Sequence, residues 1–193
     1  MSREAIVLAA GAGSRFGGGK LLADWRGRPL VLAAVEAALA APVDAVVVVL
    51  GCEASRVAAA LTALADARLR LVVADDWAQG LSASLRAGVK SLPPDSTGFL
   101  LFLSDMPLIP SDLPPKVLTA LDGGAPAVQP FHGETPAHPV GFSASLYAEL
   151  LQLSGDAGAG VLLRGRPGVV RLSCAEAGAI FDVDRPSDTA AAP

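Results

Sequence analysis

Side chains that bind metals or form cross-links are scarce in this sequence. Its two cysteines, Cys52 and Cys174, lie far apart in 193 residues and form no CxxC pair. That excludes a disulfide framework and a thiolate zinc site, and it suits a reducing compartment, here expected to be the cytoplasm. Two histidines, His132 and His138, without paired ligand spacing add nothing to the case for zinc. An excess of positive charge is also missing. Fifteen Lys and Arg stand against 19 Asp and Glu, for a net charge of −4 and a pI near 5.1. A nucleic-acid footprint is therefore not expected, whereas a phosphorylated small molecule needs only one local cationic site. No apolar run approaches the roughly 18 residues of a membrane span. The start, MSREAIVLAAGAGS, has a basic residue and a short apolar run, but Glu4 and the immediate Arg15 break the layout of a signal peptide. No internal repeat or Pro/Ser/Gly-rich linker divides the chain.

What is present is apolar. Hydrophobic residues make up 52% and charged residues 18%, as expected for one domain over 1–193 built on a sheet covered on both faces. AIVLA (5–9), AVVVVL (45–50), LRLVV (69–73) and GFLLFL (98–103) read as strands. Stretches 28–41, 53–65 and 81–92 between them carry apolar residues at helical spacing. This alternation predicts an α/β fold, Rossmann-like with three layers and a mostly parallel sheet. The second half is less regular: helices are predicted over 111–121 and 143–153, and strands at 125–130, 168–172 and 179–184. GDAGAG (155–160) reads as a loop.

Directly after the first strand comes LAAGAGSRFGGGK (8–20), rich in glycine and carrying Arg15 and Lys20. It fails the dinucleotide fingerprint because Phe16 follows Gly11 and Gly13 where glycine or alanine is needed, and it fails the P-loop because Ser14 and Leu21 occupy template positions. The physical idea behind both templates survives: bare backbone N–H groups can curl round an anion and the two cations complete the charge balance. Asp105, at the end of GFLLFLS, stands where a carboxylate can hold Mg2+ or simply cap a loop. Asp182 and Asp184 in FDVDRPSD, if on a strand, point to opposite faces, so at most one joins Asp105; Asp182 is slightly favoured. Asp188 suits helix capping, and Asp75 and Asp76 read as loop charges.

The loop resembles the nucleotide-binding signature of the nucleotidyltransferases that act on the molybdenum cofactor, LAAGxSxRMGxxK, with Phe16 where Met is usual. The resemblance continues through GLSASLRAG (80–88), LSDMPLI (103–109), HPVGF (138–142), GDAG (155–158) and FDVDRPSD (181–188). It implies a nucleotide-diphospho-sugar transferase type of fold, with residues 1–110 binding nucleotide and 111–193 receiving the acceptor and completing the metal site. It implies that Leu8, Ala9, Ala10, Gly11, Gly13, Ser14, Gly80, Ser82 and Ser84 surround a nucleoside triphosphate. Arg15, Lys20 and Asp105 would be catalytic, Asp105, Asp182 and Asp184 would supply Mg2+ ligands, and His138 and Pro139 would face the acceptor. Ala10, where guanylyltransferases tend to have glycine, resembles the cytidylyltransferase branch, so the implied reaction joins CTP to a phosphorylated pterin, molybdopterin, with transient docking to a molybdoenzyme or its chaperone. Guanylyl transfer, sugar-phosphate nucleotidyl transfer and a non-catalytic cofactor chaperone are the alternatives. Ala137 before His138, and Gly160 where GDxGAR has arginine, depart from the pattern in the acceptor half.

Overall fold

The structure, a computed structural model, describes residues 2–189. A central sheet is built from β1 (Ser2–Ala9), β4 (Ala45–Leu50), β5 (Leu69–Val73), β6 (Ser96–Leu103), β7 (Ala127–His132), β9 (Val140–Ser143) and β10 (Val170–Ser173), with the short β8 (Thr135–Pro136) attached to β7. A separate two-residue hairpin pairs β2 (Asp24–Trp25) with β3 (Arg28–Pro29). The sheet order is β10-β7-β9-β6-β1-β4-β5, and only β8 and β9 run antiparallel to their neighbours.

Residue chemistry explains the layering. All six residues of AVVVVL are buried. Alternate positions serve different cores: Val46, Val48 and Leu50 belong to one, and Val47 and Val49 to the other. The first core lies under α1 (Leu30–Ala40), α2 (Ala54–Leu61) and α4 (Leu113–Asp122), and the second under α3 (Leu81–Lys90) and the short α5 (Tyr147–Leu150). Helix α4 begins Leu-Pro-Pro, because a missing N–H costs nothing in a first helical turn. The chain leaves β1 for β4 and β5 on one side, then crosses to β6 on the other. That reversal opens a crevice beyond the carboxyl end of β1, the usual ligand position in open α/β sheets.

The predicted α/β architecture is the one observed. The first four strands and three helices form as expected, as do the 111–121 helix and the 168–172 strand within a residue or two. Three local expectations fail. Residues 179–184 are not a strand: a 3-10 turn over Ala177–Ile180 leads into irregular chain whose apolar side chains, Phe181 and Val183, pack on Trp25 and Leu30 in a satellite core. The 143–153 helix shrinks to a 3-10 turn plus the single turn of α5. The predicted strand at 125–130 shifts to 127–132, and HPVGF contributes an unforeseen strand, β9, which is only four residues long.

At the amino end of the sheet, buried Glu4 accepts a hydrogen bond from Ser96 Oγ, which lies 2.7 Å from the hydroxyl of Tyr147, the sole tyrosine. Burial pushes the Tyr147 phenol up to about 12; its hydrogen bond with Ser96 acts the other way, and the nearby Glu4 carboxylate adds to the rise. A spectrophotometric titration should therefore show no phenolate band at pH 10.5 while the protein stays folded. Removing the hydroxyl, Tyr147→Phe, should lower unfolding free energy in urea by about 1 kcal/mol.

Candidate active site

The loop after β1 folds back through glycines. Gly13, Gly17, Gly18 and Gly19 all have positive φ, between 60° and 95°, and a Cβ on Gly13 would sit 2.8 Å from Lys20 Cβ. The loop therefore cannot approach Lys20 with a side chain there. A 3-10 turn over Ser14–Phe16 and another over Lys20–Leu22 frame the glycines. Phe16, at the position where the sequence pattern has Met, packs against the Trp25–Leu30–Val183 cluster and anchors the loop.

Lys20 is the hub. Its ammonium donates to Asp105 Oδ2 at 2.7 Å and to Asp184 Oδ1 at 3.2 Å, and its side chain is only 11% exposed. Burial opposes the charge, but the hydrogen bonds and negative charges of Asp105 and Asp184 outweigh it and raise Lys20 above the ordinary lysine value. Arg15 Nη1 reaches the other oxygen of Asp184 at 3.3 Å from an exposed position. The Lys20 hydrogen bond holds the Asp184 carboxyl below the usual range, with Lys20 and Arg15 charges adding to it against partial burial. Asp182 moves the opposite way: burial raises it, and so do the charges of Asp184 and Asp105.

Backbone ties place these carboxylates. Ser104 N–H donates to Leu8 O at 3.2 Å, joining the ends of β6 and β1, and Val183 N–H donates to Asp105 O at 2.9 Å. The Asp188 carboxylate accepts from the Asp184 and Arg185 amides at 2.9 and 2.7 Å, the capping work expected of it. Because 181–184 is not a strand, the opposite-face argument for Asp182 and Asp184 does not apply. Asp184 shares Lys20 with Asp105, and Asp182 lies close enough to feel both charges. Lys20 thus joins Asp184 to Asp105, whereas the sequence alone slightly favours Asp182 as the residue that shares a metal with Asp105.

The crevice is a cleft of about 640 Å³ whose walls include Leu8, Ala10, Gly11, Gly13, Ser14, Lys20, Gly80, Ser84 and Asp105, within the usual size for a small-molecule site. Three residues expected beside the nucleotide are not on its wall. Arg15 reaches Asp184 from an exposed position. Ala9 is fully buried on the alternate face of β1, and Ser82 is fully buried with its hydroxyl donating to Gly155 O at 2.7 Å. Arg86, which donates to Ser82 Oγ, Leu153 O and Asp76, completes that clasp and gives Asp76 a structural partner. Gly80, at φ 115°, is where the clasp is tightest: a Cβ would lie 2.4 Å from Gly155 O. Sequence reasoning missed Trp77 and Asp156 on the cleft wall. Trp77 stands three residues before Gly80 of GLSAS, in a 3-10 turn over Trp77–Gln79 that leads into α3, and this closeness to GLSAS is the signal that could have found it. His138 is half-buried, its N–H donates to Ala179 O at 3.0 Å, and its peptide bond to Pro139 is cis. Burial pushes its imidazole down to about 4, against a weaker upward pull from Asp105, so it is neutral near pH 7.

Among the described residues, no three carboxylates, histidines or cysteines form a ready-made metal cage. The donor chemistry nonetheless fits a divalent ion: two carboxylates converge on one ammonium, and a third feels their charge. Mg2+ and similar hard ions take a few such oxygens and complete their shell with water and substrate phosphate.

The model of the MobA-like NTP transferase domain matches residues 5–172. A nicotine blue oxidoreductase of Paenarthrobacter nicotinovorans is 34% identical over 191 residues, covering 93% of this chain and 90% of that protein. Among solved structures, Rv0371c from Mycobacterium tuberculosis H37Rv superposes with a TM-score of 0.85 at 29% identity, over 99% of this chain and 96% of that one. Rv0371c in complex with manganese matches with a TM-score of 0.75 at 27% identity, over 90% of this chain and 89% of that one. A cleft formed by a glycine loop, a lysine and convergent carboxylates thus occurs in a chain that belongs to the family of MobA-like NTP transferases.

Proposed function

We propose that the protein transfers a nucleoside monophosphate from CTP to a phosphorylated pterin of the molybdopterin class, in the cytoplasm, with release of pyrophosphate. The observation that carries this reading is Lys20 held between Asp105 and Asp184 at the foot of a glycine-walled cleft. The backbone of Gly11, Gly13 and Ser14 offers N–H groups to the triphosphate, and Lys20 and Arg15 neutralise charge that builds on its oxygens. An acceptor phosphate oxygen attacks the α-phosphorus, the bond from the α-phosphorus to its bridging oxygen breaks, and pyrophosphate leaves with that electron pair. The attacking phosphate is already ionised, so positioning and charge neutralisation suffice without a strong base. Neutral His138 fits this chemistry as a positioning group on the acceptor side. Asp105, Asp184 and Asp182 would hold Mg2+, which supplies Lewis-acid charge at the phosphates.

Cytosine is favoured by the wall around Ala10. Ala10 and Trp77 both line the cleft, and both pack so closely on Gly51 that a Cβ there would lie 2.7 Å from Ala10 Cβ and 2.6 Å from Trp77 Cγ, which fixes the Ala10 methyl on the wall. A methyl at position 10 takes up room that glycine would leave open, which supports a small base over guanine. A second reading, oxidoreductase chemistry, is suggested by the 34%-identical nicotine blue oxidoreductase. Hydride transfer, however, has no use for carboxylates gathered on a lysine.

Each NTP paired with each candidate acceptor, molybdopterin and sugar phosphates among them, should yield pyrophosphate and a product of matching mass only with CTP and the pterin. Oxidation of NADH or NADPH by an electron-poor aromatic without pyrophosphate would establish the second reading, and binding without turnover would indicate a cofactor chaperone. Lys20→Met and Asp105→Asn should each lower kcat about 100-fold or more with the melting transition still cooperative; near-normal rates would sink the roles assigned to them.

His138 adds a stability test in metal-free protein. Its folded pKa of about 4 lies below the unfolded value of 6.5, so the unfolded chain binds the extra proton between those values. Stability from this group is complete above pH 6.5 and falls as pH drops towards 4, by about 3 kcal/mol at most. Denaturant curves of wild type and His138→Gln should diverge in slope against pH only in that window, and parallel slopes would show that the imidazole titrates normally.

A further inference from the structure

A second cavity, of about 390 Å³, opens where β7 meets β10, with walls that include Gln129, Phe131, Leu163, Arg164, Arg166 and Arg171. Its position relates it to the cleft. Strands β6 and β7 run in the same direction with β9 alone between them, which separates their axes by about 10 Å. Leu103 and Asp105 edge the cleft beyond β6, while Gln129 and Phe131 edge the cavity at the same end of β7. His138 and Pro139, which lead into β9, lie on the strip between them. The 155–160 segment spans the same interval, with Asp156 on the cleft and Gly160 on the cavity.

The cavity's chemistry is that of an anion receptor with a flat wall. Arg166 donates to Glu149 and, at 2.9 Å, to Leu162 O, so its charge is matched. Arg171 stacks its guanidinium 3.6 Å from the Phe131 ring centre and reaches exposed Glu134 at 3.3 Å. That guanidinium leaves a planar face on which a second flat group can stack. Arg164 is exposed and has no carboxylate partner among the described residues, so its positive charge is unmatched. Gln129, nearly buried, spends its amide N–H groups on Ala137 O at 2.8 Å and Pro130 O at 3.2 Å. Its amide oxygen has no protein donor among the described residues and is left to accept from a ligand N–H.

We propose that this cavity is a second anion subsite that holds the distal part of the acceptor, a planar group carrying negative charge, with Arg164 as its principal cation. The assignment of that ligand as acceptor rests on the transfer reading above; the existence of the subsite does not. The acceptor then lies along the carboxyl edge of the sheet, its reactive phosphate at Lys20 and its flat, anionic end against Arg171 and Arg164.

Equilibrium binding of 1-naphthyl phosphate, a fluorescent planar anion, tests the subsite without turnover. Arg164→Ala should weaken binding about tenfold and flatten its salt dependence, as loss of one charge-assisted contact requires. Arg70→Ala, on the far edge strand β5, should leave binding unchanged, and Lys20→Met should retain it. Equal binding by wild type and Arg164→Ala overturns the subsite, as does a loss seen only in Lys20→Met or equally in Arg70→Ala. In the transfer assay, Arg164→Ala should raise the acceptor KM about tenfold with kcat and the CTP KM unchanged. An unaltered acceptor KM overturns the link to the acceptor. If wild type releases no pyrophosphate with any pairing, the transfer reading fails, and the binding comparison alone decides the subsite.

Discussion

One ammonium group joins three parts of the chain that are otherwise remote. Lys20 follows the first strand, Asp105 lies 85 residues on and Asp184 another 79, and the contacts at 2.7 and 3.2 Å bring them to one point. An ion pair at a wet surface contributes little, but Lys20 is mostly withdrawn from water, so its charge needs both carboxylates. The arrangement also leaves room for a phosphate. Two of the three N–H donors of Lys20 go to Asp105 and Asp184, so the third is available to a phosphate oxygen in the cleft, and the carboxylate oxygens beside it are the kind a divalent ion prefers. Opposite charges are thus held against each other at the crevice by residues that only the folded sheet brings together.

The sheet was legible because its central strands are buried on both faces. AVVVVL has the observed bounds of the central strand β4, since an unbroken branched apolar run next to polar residues admits little else; LRLVV has those of the edge strand β5, where Arg70 interrupts the run and none of the five residues is fully buried. The same reasoning misled at AIFDVD. Its alternation looks like a strand, but Gly178 lies so close to the chain at Leu108 that a Cβ would fall 2.2 Å from that carbonyl oxygen. Phe181 and Val183 then pack into the satellite core with Trp25, away from the sheet. Strand β9 was hidden by its four-residue length and by the cis-linked His138–Pro139 in front of it. Both errors arise where tertiary contacts outweigh local pattern.

Site residues divide along a similar line. Lys20, Gly13 and Asp105 were legible because strand ends in an α/β sheet are where ligands go, and because glycine and charge there have few other uses. Ser82 looked equivalent to Ser84 two residues away, yet on a helix the two side chains point in different directions, and only Ser84 reaches the cleft. Trp77 gave no periodic signal, because a side chain presented by a short turn is placed by its packing on Gly51, which follows β4 and is remote in sequence.

A net charge of −4 and a site for polyanions are compatible because the relevant field is local. Charges beyond about 8 Å are largely screened at physiological ionic strength, so a phosphate entering the cleft responds to Lys20, Arg15 and the carboxylates beside them. Glu149 and Glu134 set the charge at the second cavity in the same way: they match Arg166 and Arg171 and leave Arg164 as the excess. A compact phosphate-bearing ligand therefore responds to the few cations gathered where it binds, whatever the sign of the chain's net charge.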